Sequence, residues 1–245
     1  MDNHYAIFIT ARLKSKRLKN KILRKLNDQT IIEYQIRKLK NYFKNYKVIL
    51  ITSKLKSDDK LIEIAKKEKI YYHRGSALDV LKRIYTAAKK FNIKNIISVT
   101  ADNPLIDLYY LKIGFQKHIK TNKDFSFIKG IPIGTFGYYV KKSTLKDVLK
   151  WKKKINTEIW GNFILKKKKY SINRINFSPK YLNKSKSYRF TIDYKQDLDF
   201  VNMVLLKSKK KYPDLKELIN ICNKFPKLLK INNKMKQKSS DIKVY

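Results

Sequence analysis

At 245 residues the chain can bury one substantial core, and its 43% hydrophobic content excludes a disordered polymer. A formal net charge of +40 would by itself suggest nucleic acid or an anionic surface as partner. Arginine, however, occupies only eight positions (12, 17, 24, 37, 74, 83, 174 and 189), and the other 51 of the 59 basic residues are lysines. These are spread along the chain between apolar residues, as solvated helix faces are, so the charge reads as passive and no specific nucleic acid is expected. One cysteine, Cys222, and isolated histidines at 4, 73 and 118 exclude a disulfide framework and a zinc spacing. No signal peptide and no apolar run of membrane-spanning length are read, so the expected location is cytoplasmic, with no membrane partner.

In chain order, residues 5–9 form a continuous apolar run, short enough for a strand buried on both faces. The run breaks into a loop carrying Arg12, Ser15, Arg17 and Lys21. A buried strand that delivers cations and hydroxyls at its carboxyl end is one way α/β proteins hold phosphate. Spacing alone fits a solvated basic loop equally well. Thr30 and Glu33 form a capping box opening a helix to about residue 42, and 47–53 is a second apolar strand. Ser57-Asp58-Asp59 opens another helix, with a short strand following at 70–73. Ser76 and Asp79 form a second capping box, for a helix to about residue 91, and 95–100 is the third long strand. This alternation predicts right-handed crossovers and a largely parallel, doubly wound α/β sheet.

The second half is less regular. The pattern predicts helices over 108–119 and 157–166, another capped by Thr144 and Asp147, and one ending near 209 with Asp197 in its first turn. Strands are predicted over 138–140, 170–177 and 188–192, and 131–137 is read as a loop. A single domain over 1–225 is expected, followed by a lysine- and asparagine-rich tail, 226–245, that is partly disordered.

Four separated stretches carry a resemblance. A-R-x-x-S-x-R-L-x-x-K, from Ala11 to Lys21, resembles the nucleotide-binding loop of the CMP-sugar synthetases. That group includes the CMP-Kdo and acylneuraminate cytidylyltransferases, and this chain is nearest the spore-coat-polysaccharide type. Lys14 stands where glycine is common and Lys19-Asn20 replaces a common Pro-Gly, so fewer residues with φ > 0 and more binding by side chains are expected. His73-Arg74-Gly75-Ser76 with Asp79-Val80-Leu81 and Arg83 resembles R-G-S-x-x-D-V-L-x-R, which lies beside the nucleotide in relatives; capping alone explains Ser76 and Asp79. Residues 100–107 resemble T-[AG]-D-x-P-L-x-D, the strand end that presents a metal-binding aspartate, with Asp107 left as a helix cap. Residues 189–198 resemble R-x-T-x-D-x-x-x-D-L, whose first aspartate is the second metal ligand, although Tyr194-Lys195 replaces a common Thr-Pro. The loop at 132–139 lacks the acids often found on the acceptor-sugar side; Thr157-Glu158-Ile159-Trp160 offers a different acceptor wall, although Trp160 is expected in the core.

The resemblance implies a three-layer, Rossmann-like fold of the nucleotide-diphospho-sugar transferase type, with a mixed, mostly parallel sheet. It implies a nucleotidyltransferase that moves CMP from CTP to a sugar or sugar acid and releases pyrophosphate, for surface polysaccharide or glycoconjugate synthesis. Catalytic roles fall on Arg12, Lys21 and Asp102, and nucleotide contacts on Ala11, Arg12, Ser15, Arg17, Lys21, Arg74, Gly75 and Ser76. Asp102 and Asp193 would hold Mg²⁺; the partners would be CTP, a sugar acceptor and, in a homodimer, a second copy. Two carboxylates so close repel unless a cation lies between them, so the pair is read as requiring the metal. Cytidine over uridine comes only from the resemblance. The residues leave two alternatives open. One is a nucleotide-sugar glycosyltransferase on a similar sheet, which would normally want Asp-x-Asp where this chain has Asp102-Asn103-Pro104. The other is a non-enzymatic basic binder of nucleic acid or anionic surfaces, whose phosphate contacts would weaken steeply with salt.

Overall fold

Seven strands of the computed structural model, which describes residues 4–15 and 17–235, form one twisted sheet. In chain order the first half runs β1 (Tyr5–Thr10), β2 (Lys25–Leu26), β3 (Gln29–Thr30), α1 (Ile31–Tyr42), β4 (Lys47–Ser53), α2 (Asp59–Lys67), β5 (Tyr71–Gly75), α3 (Val80–Lys90) and β6 (Asn95–Thr100). The second half adds α4 (Leu108–Thr121), β7 (Phe125–Lys129), β8 (Tyr138–Lys141), α5 (Lys142–Trp151), α6 (Gly161–Leu165), β9 (Ile172–Asn176), α7 (Lys195–Lys207) and α8 (Leu215–Lys224). The sheet order is β5-β4-β1-β6-β8-β7-β9, and β2 and β3 form a separate ribbon. β8 is antiparallel to both its neighbours, β6 and β7, while every other pairing in the main sheet is parallel. The expected mixed, mostly parallel α/β sheet is therefore present.

β1 is apolar throughout because both its faces are covered. Ile7 and Ile9 join one buried cluster and Ala6 and Phe8 the other, across the sheet. The Thr30–Glu33 capping box forms as predicted, with the Thr30 hydroxyl accepting from the Glu33 amide and the Glu33 carboxylate accepting from the Thr30 amide.

The structure also departs from the sequence reading. Asp79 rather than Ser76 caps α3, accepting from the Lys82 amide, while Ser76 receives the Asp79 amide one turn earlier. α5 starts at Lys142, so Thr144 lies inside it. The helical pattern of 157–166 yields only the short α6. Residues 188–192 join no strand; a single bridge ties Arg189 to Ile133. β7 and α8 were not foreseen. The expected tail does not begin at Pro226: Pro226–Ile231 is a 3-10 turn with Leu228 buried, and the buried Asn232 amide donates to the Arg189 carbonyl and the Asp197 carboxylate. The rest of the predicted tail, 236–245, lies outside the described residues.

Candidate active site

The chain leaves β1 for β4 and β5 on one side, then returns to β6 on the other. At such a reversal the crossovers diverge and a crevice opens beyond the carboxyl ends of the strands. The loop after β1 enters that crevice and is anchored twice. The Ala11 amide donates to the Ile51 carbonyl at 3.0 Å, and the Leu13 amide donates to Oδ1 of the buried Asp58 at 2.8 Å. Asn20 then takes a left-handed conformation (φ 51°) at the start of a 3-10 turn, Lys21–Leu23. This corrects the expectation drawn from the missing glycine. Asparagine tolerates that region better than other side-chain-bearing residues, so the backbone turn survives the replacement of Pro-Gly.

The turn aims Lys21 at two carboxylates. Its Nζ donates to Asp102 Oδ2 at 2.6 Å, Asp193 Oδ1 at 2.9 Å and the Ile192 carbonyl at 3.0 Å. Asp102 follows β6 directly. Asp193 arrives from far along the chain because 188–193 runs extended across the crevice, with the Ile192 amide donating to the Asp102 carbonyl at 2.9 Å and the Phe190 amide to the Ile133 carbonyl. Gly134 (φ +90°) permits this crossing, since a Cβ there would come 2.3 Å from the Thr191 nitrogen.

Asp193 is ringed by cations. Arg17 donates to its Oδ1 at 2.6 Å and Arg189 to its Oδ2 at 2.9 Å, and Arg189 also pairs with the fully buried Asp197. Asp197 in turn accepts from the backbone amides of Asp193 and Tyr194, fixing the entry to α7. Burial acts to raise the Asp193 pKa, but Lys21, Arg17 and Arg189 overcome it and hold the carboxyl below its ordinary value. For Lys21, burial acts to lower the pKa, and the two aspartates override it and raise it. The pair thus has a cation between its members already, and it is Lys21. This corrects the view that the pair makes sense only with a metal.

Two cavities meet at this clamp. The larger, about 620 Å³, is lined by Ala11, Arg12, Ser15, Arg17, Lys21 and Asp102 of the expected set, and also by Lys14, Leu78, Val80 and Arg83. The smaller, about 240 Å³, has Phe125, Phe136, Tyr138 and Trp160 in its walls, with Asp102, Asp193 and Arg17 at one side. Arg17, Thr100, Asp102, Glu158 and Trp160 line both. Trp160 is buried, as expected, and is also a wall residue.

Three expected nucleotide contacts do not line the larger cavity. Arg74 donates to the Ser53 and Leu55 carbonyls and pairs with Asp59 at 2.7 Å, bracing the loop after β4. Gly75 packs against the stem of Arg83, and Ser76 is spent on the Asp79 amide and, through its carbonyl, on Arg83. Glu158, in the 157–160 stretch offered as an acceptor wall, lines both cavities and pairs with Arg12 at 3.1 Å; the sequence reading assigned no role to Tyr194, whose ring lies 5.2 Å from the Arg17 guanidinium carbon. The scarcity of arginine pointed towards Arg83, but no local signal paired Glu158 with Arg12. Among the described residues, no cluster of three or more His, Cys, Asp or Glu side chains is placed to hold a metal, and no helix is long and apolar enough to cross a membrane.

Comparison with known proteins places this arrangement in a family. The chain is 30% identical to an uncharacterised protein of Methanocaldococcus jannaschii over 246 residues, covering 94% of this chain and 95% of that protein. It is 27% identical to the spore coat polysaccharide biosynthesis protein SpsF of Bacillus subtilis, covering 91% and 96%. A cytidylyltransferase structure from Leptospira borgpetersenii superposes with a TM-score of 0.85 at 26% identity, covering 96% of this chain and 99% of that one. Residues 6–228 match the cytidylyltransferase family model, and the chain belongs to that family.

Proposed function

We propose that this cytidylyltransferase transfers CMP from CTP to a hydroxyl of a sugar or sugar acid, in the cytoplasm, for the synthesis of a surface polysaccharide or glycoconjugate. The observation that carries the reading is the Lys21 clamp, which stands where a cationic cavity suited to a triphosphate meets a second cavity walled by aromatic rings. Arg12, Ser15, Arg17 and Lys21 grip the phosphates, and the acceptor lies against Trp160 and Tyr138. An acceptor oxygen bonds to the α-phosphorus as the bond from that phosphorus to the bridging oxygen breaks. The electron pair leaves on pyrophosphate, and the acceptor proton passes to solvent. Positioning and charge neutralisation supply the acceleration, so no protein nucleophile is required.

The donor set is compatible with the divalent ion such an enzyme uses. Asp102 and Asp193 converge on one cationic point, and among the described residues the second oxygen of Asp102 has no partner. Two hard carboxylates completed by substrate phosphates suit Mg²⁺, which would neutralise phosphate oxygens and lower the acceptor hydroxyl's pKa. Asp193 is the more committed of the two, since both its oxygens already accept from cationic groups. A homodimer belongs to the same proposal and is checked by size-exclusion chromatography.

The test is pyrophosphate release from each nucleoside triphosphate with Mg²⁺ and a panel of hexoses, octulosonic acids and nonulosonic acids. Release from CTP with one acceptor class is expected. Absence of release together with no CTP-dependent rise in melting temperature would sink the proposal.

A further inference from the structure

Gln35 lies in the middle of α1 among apolar neighbours, and it is fully buried. Its Nε2 donates to the Thr100 carbonyl at 2.9 Å and to the Asn103 carbonyl at 3.1 Å, so one amide group spends both its hydrogens on carbonyls that stand on either side of Asp102. Both partners are acceptors only, so the nitrogen and not the oxygen must face them. Neither carbonyl needs that donor. The Asn103 amide already donates to the Thr100 carbonyl at 3.1 Å, and the Ile106 amide to the Asn103 carbonyl at 3.3 Å. The arrangement also leaves Gln35 Oε1 buried with no partner among the described residues, a costly state for an amide oxygen.

What the glutamine adds is a tie between a fixed helix and a turn. α1 is held by its capping box and by Ile31, Ile32, Tyr34, Ile36 and Leu39, all buried. One turn along, the buried Lys38 reaches the Pro104 carbonyl at 3.4 Å. The turn that carries Asp102 is closed by Asn103 Nδ2, which donates to the Thr100 hydroxyl at 2.9 Å. The Ala101 amide ties it to the Thr10 carbonyl of β1, and the Asp102 carbonyl accepts from the Ile192 amide. Asp102 is thereby pinned from α1, from β1 and from the 188–193 run, with its carboxylate at the Lys21 ammonium.

We infer that Gln35 is a positioning residue for Asp102: through the Thr100 and Asn103 carbonyls it fixes the turn so that the Asp102 carboxylate converges with Asp193 on one point. A carboxylate that is slightly displaced loses much of its hold on a hard cation that demands strict geometry, and for that reason the partners behind such ligands govern affinity. The inference rests on the proposed Mg²⁺-dependent use of CTP and supplies the residue that keeps one of the two donors in register.

The experiment measures CTP binding by calorimetry, in EDTA and in saturating Mg²⁺, for the wild type and for Gln35→Met. Methionine keeps the volume and removes both donors together with the unpartnered oxygen, while each carbonyl keeps its backbone donor. The melting temperature without ligand should therefore stay within about 3 °C of the wild type. CTP affinity in EDTA should stay within about twofold, whereas the tightening by Mg²⁺ should shrink at least roughly tenfold or vanish, as when a partner behind a metal ligand is lost. A merely structural role would lower the melting temperature and leave the Mg²⁺ gain intact. A folded Gln35→Met that keeps the full Mg²⁺ gain overturns the inference, and so does a wild type that gains nothing from Mg²⁺. Should the variant not fold, the wild-type side-chain amide of Gln35 decides by NMR. Its resonance should shift when Mg²⁺ joins bound CTP, and one that stays in place overturns the inference. CTP binding that neither Gln35→Met nor Mg²⁺ alters removes this inference and leaves the use of CTP standing; binding of no triphosphate removes both.

Discussion

The two cavities that meet at Lys21 differ more than their shared wall would suggest. The larger draws five cationic side chains, Arg12, Lys14, Arg17, Lys21 and Arg83, from the parallel half of the sheet. The smaller has Arg17 as its only described cation, together with Asp102, Glu158, Asp193 and four aromatic rings. In a chain with 59 basic and 19 acidic residues, a lining without a described lysine is a departure from the background. The bulk charge is therefore a poor guide to function here, and what matters is which cations the backbone turns inward. The larger cavity is assembled by loops at strand ends, over short stretches of chain. The smaller depends on the reversed β8 and on the extended 188–193 run, which arrive from far along the sequence.

The comparison can be broken at the clamp. Asp193→Asn should have the largest effect, because it leaves Lys21, Arg17 and Arg189 crowded around a neutral group; a loss of about 3 kcal/mol in a denaturant melt is expected, along with loss of turnover. An unchanged midpoint would mean that the three cations find other partners. Lys21→Met should cost about 2 kcal/mol and at least roughly tenfold in CTP affinity, since it removes charge-assisted contacts and leaves two carboxylates facing one another. Normal CTP binding by the folded variant would return the loop to a solvated surface.

Acid should weaken the second half through His118. Burial and the charge of Lys141 push its pKa down to about 4, and its Nδ1 lies 2.7 Å from the Ser126 hydroxyl between α4 and β7. Between pH 6.5 and about 4 the unfolded chain takes up a proton that the folded protein refuses, so stability rises with pH across that window. His118→Asn should flatten this slope; the full effect is on the order of 2–3 kcal/mol, read from melts at pH 4.5 and 7. A slope that survives the substitution would assign it to other groups. The smallest effect is expected for Glu158→Gln, because its ion pair with Arg12 is partly solvated. Stability should move by less than about 0.5 kcal/mol, while CTP binds slightly more tightly to a freed Arg12. Weaker CTP binding would show that Glu158 orients Arg12 for phosphate rather than competing for it.

Several local readings were correct to within a turn. The β1 run, the Thr30–Glu33 box, the Asp107 cap and the strand-end position of Asp102 each depend on residues within a few positions of one another, and each is present. β7 was missed although Phe125 and Phe127 alternate with Ser126, because a run of five residues gives too short a period to stand out. The run at 188–192 has the composition of a strand but lies against the Asp102 turn and the Ile133 loop, not within the sheet.

The sequence by itself determined the alternating α/β order, the cation-bearing loop after the first strand and the two aspartates that follow apolar runs. Only the tertiary structure decided that Lys21 lies between those aspartates, 81 and 172 positions away, that Arg74 braces a neighbouring loop, and that Arg83 rather than Arg74 faces the cavity. The reason is one of range. Caps, turns and strand periodicity are fixed by hydrogen bonds and side-chain alternation over a few residues, whereas the direction of an arginine and the partner of an ammonium follow from strand order and from the room left by residues such as Gly75 and Gly134, which no local pattern encodes.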